Sequence, residues 1–169
     1  MLSGVTTQAP LGRSIGRAHK LVRAWGDREL AELDSSVTEW IVLFNIAVAP
    51  EPGASQAEIA RFSDMGGPAL VRHIDRLEAQ GLVTRTRDTA DRRTIRLRLT
   101  AAGHAHYERI RAVMARSDQQ LRGVLTNKEA DVMQGALDKL FTFCLAEMYP
   151  DALASTPTPP APTSPVRSK

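Results

Sequence analysis

The chain has 169 residues, 43% of them hydrophobic, and a net charge of only +3. That suits one compact domain, or two small ones sharing a core, and excludes a globally disordered chain. The longest apolar stretch, WIVLFNIAVA, is about half of what a bilayer span requires, and MLSGVTTQAPLGRS lacks the apolar core of a signal peptide, so a soluble cytoplasmic protein with no membrane partner is expected.

Residues 1–10 read as a flexible arm. Leu11, Ile15, Ala18, Val22 and Trp25 recur at helical spacing and predict a first helix reaching about Leu33. Three stretches then have the form of a capping box, in which Ser or Thr caps a helix and Glu three residues later reciprocates. They are Ser36-Val-Thr-Glu39, Ser55-Gln-Ala-Glu58 and Thr126-Asn-Lys-Glu129, and each precedes an apolar-periodic run. A further helix is predicted from Pro68, which suits a first-turn position, to Gly81, which suits a left-handed terminator. Residues 82–87 and 94–99 are rich in Val, Thr, Ile and Leu around a polar turn, and predict a β-hairpin. Thr100 caps a long helix from Ala101 to about Val124, and a last helix reaches about Tyr149. Beyond Pro150 the run ALASTPTPPAPTSPVRSK is a Pro/Ser/Thr tail that can bury little and is expected to add nothing to folding.

The predicted fold class is therefore mainly α with a small β-hairpin wing. A short helix, a tight link, a second helix and a hairpin form a winged helix-turn-helix. The expected organisation is an arm at 1–10, an N-terminal helix of a dimerisation region at 11–35 and a winged helix-turn-helix at 36–100. C-terminal helices of the dimerisation region follow at 101–149, and the tail occupies 150–169.

Charge is spread unevenly. Residues 82–100 hold six arginines (Arg85, Arg87, Arg92, Arg93, Arg96, Arg98) against Asp88 and Asp91. A basic patch on a nearly balanced protein points to a polyanion engaged at one place, and arginine suits bidentate recognition of phosphate or base edges. In the helix at 68–80, Leu70, Ile74 and Leu77 share one stripe, while Ala69, Arg72, His73 and Arg76 gather on another face. Small and basic residues on one side fit a major groove, where Arg72 is placed to donate to the O6/N7 edge of guanine. The alternative is a solvated face on which Arg72 and Arg76 pair with Asp75 and Glu78.

In the second strand Ile95, Leu97 and Leu99 point one way and Arg96 and Arg98 the other, which any half-buried strand shows. At the hairpin tip, Asp91 and Arg93 are two residues apart. Either the carboxylate orients the Arg93 guanidinium for a minor groove, or Asp91 serves turn chemistry alone.

The stretch LVRHIDRLEAQGLVTRTRDTADRRTIRLRLTAAG resembles the MarR/SlyA family of winged-helix regulators. The most specific feature is an Asp-x-Arg wing, here Asp91-Arg92-Arg93, followed by an alternating strand and Leu-Thr-x-x-Gly, here Leu99 to Gly103. With the helix order on both sides, the likeness covers roughly residues 11–149. It implies double-stranded DNA as partner, with Pro68, Ala69, Arg72, His73 and Arg76 on the recognition helix and Arg87, Asp91, Arg92 and Arg93 on the wing. Arg93 is then the minor-groove finger. One departure is Gly66-Gly67-Pro68-Ala69 where many members carry Ser or Thr, which shifts weight onto Arg72.

The helices at 11–33, 104–124 and 127–149 carry more apolar surface than one small domain needs. They either intertwine in a homodimer, as the resemblance implies, or complete a monomeric bundle. The resemblance also implies a small aromatic or anionic effector, for which His19, Trp25 and Trp40 are the candidate lining, the alternative being that the tryptophans are core. Cys144, the single cysteine, is expected to be a buried core thiol. No HExxH, nucleophile elbow or glycine-rich phosphate loop accompanies the four histidines, so neither enzymatic activity nor a cofactor or metal is expected. The competing readings are a winged helix used only for protein contact and a non-specific DNA-binding protein without ligand response.

Overall fold

The computed structural model describes residues 9–63 and 65–149. The expected arm lies almost wholly, and the expected tail entirely, outside the described residues. Six helices and one small sheet follow in order: α1 (Leu11–Leu30), a 3-10 turn (Ala31–Leu33), α2 (Val37–Val48), β1 (Ala54–Ser55), α3 (Gln56–Phe62), α4 (Gly67–Ala79), β2 (Val83–Arg87), β3 (Ile95–Leu99), α5 (Ala101–Arg122) and α6 (Asn127–Met148). The chain divides into one unit ending at Gln120 and another beginning at Leu121.

The first unit is built on α2. Val42, Leu43 and Ile46 are buried, and around them close Leu30, Ile59, Leu70, Ile74, Leu77, Val83, Leu97, Tyr107 and Ile110. The apolar stripe read in the sequence at Leu70, Ile74 and Leu77 is thus the inward face of α4. The joint between α1 and α2 is polar. Val37 N–H donates to Asp27 Oδ1 at 2.8 Å, and the Arg23 guanidinium donates to the Thr38 hydroxyl.

Two of the three predicted capping boxes are complete. Ser55 and Thr126 each accept from the backbone of the glutamate three residues on, and Glu58 and Glu129 each reach back to the cap. Ser36 accepts from Glu39 N–H at 3.2 Å, but the Glu39 side chain turns inward instead of completing the box. Asp27 of α1 instead accepts from Val37 N–H, the first amide of α2, so a side chain of α1 also caps α2.

The sheet has three strands in the order β1-β3-β2, all antiparallel. The hairpin was legible in the sequence; β1 was not, because a strand of two residues leaves no alternation to read. Ala54 stands opposite Leu97 and Ser55 opposite Arg96, whereas Val83 pairs with Leu99 and Arg87 with Ile95.

The base of the wing is fixed by one cluster of backbone bonds. Gly81, with φ at 71°, ends α4. Gly81 N–H donates to Glu78 O and Leu82 N–H to Leu77 O, both at 2.9 Å. Thr100 then clasps this turn from the far end of β3. Its N–H donates to Leu82 O at 3.0 Å, its hydroxyl to Gly81 O at 2.6 Å, and its oxygen accepts from Gly103 N–H at 2.9 Å. The Leu-Thr-x-x-Gly motif is the lock between α4, wing and α5.

In the second unit α6 buries Ala130 and Leu145. Met133, Leu137, Phe141 and Met148 recur at helical spacing and are exposed in the single chain, as are Val132 and Phe143. Cys144 lies in the same stripe as Leu137 and Phe141 and is likewise exposed. The expectation of a buried core thiol is therefore corrected: apolar periodicity marked a face of α6 whose side chains are exposed among the described residues.

Candidate nucleic-acid interface

The arginines of α4 and the wing fall into two classes. Four are paired within the chain. Arg85 is clasped by Asp75 at 2.5 Å and Glu78 at 2.7 Å. Arg96 donates to the buried Asp88 at 2.6 Å and to Gly53 O at 3.3 Å. Arg98 pairs with Glu51 and donates to Pro52 O, and Arg76 pairs with Glu39 at 2.7 Å. The other four, Arg72, Arg87, Arg92 and Arg93, are exposed, and their side chains have no partner among the described residues. The acids expected to compete for Arg72 and Arg76 are thus spent on Arg85, and the Arg72 guanidinium remains available.

On α4, Pro68 is exposed in the first turn and Ala69 half-buried beside it. His73 is half-buried, with its Nε2 enclosed and unpartnered among the described residues. Burial, then the charge of Arg76, pushes its pKa below the usual histidine value, against the opposing pull of Glu39. The uncharged ring is thereby favoured, and His73 is half-buried where its neighbour Arg72 is exposed.

The wing tip is organised by its two aspartates. Asp88 Oδ1 accepts from Ala90 N–H at 2.7 Å and Asp91 N–H at 3.1 Å, and Oδ2 takes Arg96. Asp91 Oδ1 accepts from Arg93 N–H at 3.0 Å, and Oδ2 takes the Thr94 hydroxyl at 2.9 Å. Asp91 therefore does not hold the Arg93 guanidinium, as the first of the two sequence readings had it. It holds the Arg93 backbone, which is turn chemistry, and the guanidinium stays exposed at the tip. Asp88 was missed as an anchor. Its burial depends on the register of β3 against β2, which composition does not reveal.

Asp88 is expected to make the wing acid-sensitive. The Arg96 hydrogen bond, then the Asp91 and Ala90 N–H groups, favour the ionised carboxylate and lower its pKa. A depressed folded-state pKa contributes stability that is present above the ordinary carboxylate range and lost as pH falls through the folded value. Amide-exchange protection of Ala90 and Asp91 is expected to persist to about pH 4 and to fall away below it. Asp88→Asn should remove this acid transition, and an unchanged transition contradicts the assignment.

Of the candidate effector residues, His19 is exposed on α1 and Trp25 is half-buried there. Trp40 packs against the core, with its ring 6.0 Å from that of Phe44 and its Nε1 buried without an acceptor among the described residues. No group of three or more potential metal ligands is found among the described residues, and no described helix is long and apolar enough to cross a membrane.

The sequence pattern of the MarR family matches residues 33–94. A transcriptional repressor, CouR, solved bound to a 23-mer DNA duplex, is 30% identical over 78% of this chain and 92% of its own, with a TM-score of 0.70. Wild-type MarR from Escherichia coli in its apo form is 27% identical over 79% of this chain and 98% of its own, also with a TM-score of 0.70. A Mycobacterium tuberculosis MarR family protein in complex with p-aminosalicylic acid is 28% identical over 78% of this chain and 98% of its own, with a TM-score of 0.66.

Proposed function

Because the chain belongs to the MarR family and is a DNA-binding transcriptional regulator, we propose that it represses transcription by binding a pseudo-palindromic operator as a homodimer. Release by a small aromatic or anionic ligand completes the proposal. The observation that carries the DNA-reading part is the division of the arginines: those that build the wing are neutralised by named acids and carbonyls, and Arg72, Arg87, Arg92 and Arg93 are left exposed for a polyanion. In this reading Pro68, Ala69, Arg72, His73 and Arg76 face the major groove. Asp91 shapes the tip, from which Arg87, Arg92 and Arg93 reach backbone and minor groove.

The homodimer is supported by apolar surface that the single chain leaves exposed at Leu11, Ile15 and Val22 of α1 and at Leu137, Phe141 and Met148 of α6. Uncovered apolar stripes of this extent mark an interaction surface. The effector is supported by the unsatisfied Trp40 Nε1–H, a donor suited to an anionic group, and His19 and Trp25 are assigned to the same role. A regulator of this kind works in the cytoplasm.

Two variants separate the roles of helix and wing. Arg72→Ala is expected to cost roughly 1–3 kcal/mol on the preferred site and less on random duplex. Arg93→Ala should weaken binding to all duplexes, because a minor-groove arginine reads shape and potential. Anisotropy titrations on both duplexes decide this. Equal losses for Arg72→Ala on the two would make it a phosphate contact only, and undiminished binding by Arg93→Ala at moderate salt would remove the wing from the interface.

A further inference from the structure

Glu39, on α2, is 2% exposed, and both of its carboxylate oxygens are used. Oε2 accepts from Arg76 Nη2 of α4 at 2.7 Å, and Oε1 meets His106 Nε2 of α5 at 2.8 Å. A buried carboxylate persists only where partners replace its water, and here the two partners come from two different helices. The His106 side chain is 15% exposed, but Arg76 keeps 52% of its side-chain surface. Its side chain thus straddles the boundary, with Nη2 on the buried carboxylate and about half of its surface exposed on the recognition helix. One carboxylate therefore ties α2, α4 and α5 together through Arg76 and His106.

We propose that Glu39 and His106 are positioning residues for sequence discrimination, holding the Arg76 fork and the orientation of α4 without touching DNA. The inference rests on α4 being the DNA-reading helix. Phosphate attraction is long-ranged and tolerates a loosely held guanidinium, whereas base edges are read only within hydrogen-bond geometry. A fork fixed by a carboxylate also loses less side-chain freedom on binding than one that must be ordered by the DNA. Glu39 carries a negative charge close to a polyanion, so by Coulomb's law alone its removal strengthens duplex binding. The positioning role predicts the opposite on the preferred sequence.

The test uses the full-length protein, the best duplex it selects from a randomised pool, and a scrambled duplex of equal length. Glu39→Leu is expected to lower affinity for the selected duplex by about tenfold or more, the scale of one lost bidentate base contact, while affinity for the scrambled duplex holds or rises. Glu39→Gln, which still accepts from Arg76, should restore most of the preference. His106→Leu, which leaves the Glu39–Arg76 pair in place, gives a second reading if Glu39→Leu does not fold: preference should fall with scrambled binding unchanged. Preference retained in every folded leucine variant overturns the proposal. So does an equal fall on both duplexes, which is mere destabilisation, or an equal rise, which is charge alone. A parent protein that selects no sequence defeats the DNA-reading function itself, and this inference with it.

Discussion

Replacing Gly103 with alanine is expected to destabilise the protein by more than about 3 kcal/mol, above the usual range for one added methyl in a packed site. A Cβ at this position lies 1.9 Å from the carbonyl oxygen of Leu82 and 2.9 Å from its carbonyl carbon. The obstacle is backbone, and that backbone is held by the Thr100 clasp, so it cannot swing aside as a side chain would. The first turn of α5 must lift off the α4–β2 turn, and Thr100 must release Gly81 and Leu82. Melting temperature should fall on the order of 10 °C. Gly16→Ala provides the contrast. A Cβ there meets nothing within 4 Å, it lies away from the apolar stripe of α1, and removing a helical glycine stabilises by roughly 0.5–1 kcal/mol. If the two variants melt alike, the lock has been misread.

The second large effect concerns assembly. Leu137→Asp is expected to turn a dimer into a monomer and to remove specific operator binding at the same time, with affinity falling on the order of a hundredfold. Leu137 is 41% exposed in the single chain, so the new carboxylate can stay hydrated in a monomer, whereas inside an interface it is buried without a partner. This distinguishes it from Leu140, which is already half-buried within its own chain. Light scattering reads the mass, and titration against a palindrome with half-sites about 10 base pairs apart reads the binding. A variant that remains dimeric places the interface elsewhere. A monomer that binds with full affinity makes dimerisation irrelevant to recognition.

The residues show why parts of this protein were legible in the sequence and others were not. Helix ends were clear wherever the signal was local: Ser55-x-x-Glu58, Thr126-x-x-Glu129 and Gly81 each act within a few residues of themselves. The winged order and the apolar stripe of α4 followed from periodicity. Ser36-x-x-Glu39 has the same local form, yet its glutamate serves a contact 37 residues away with Arg76 and another 67 residues away with His106. A capping pattern cannot announce that. The arginines present the same difficulty. Arg72 and Arg85 are chemically identical, and only the tertiary fold brings Asp75 and Glu78 to one and leaves the other exposed. Cys144 and its apolar neighbours on α6 gave a periodicity that marks a face to be covered, without saying whether the same chain covers it.

In the proposed function α4 and the wing read a particular double-stranded sequence. Binding isotherms of the full-length protein on its selected duplex and on a scrambled one, repeated across a salt series, test it most directly. A preference of about a thousandfold or more for the selected duplex is expected at physiological salt. Affinities should also decline steeply and linearly in log–log form as salt rises, because several arginines displace counterions. Equal affinity for the two duplexes at every salt concentration, or no duplex binding at all, would contradict it.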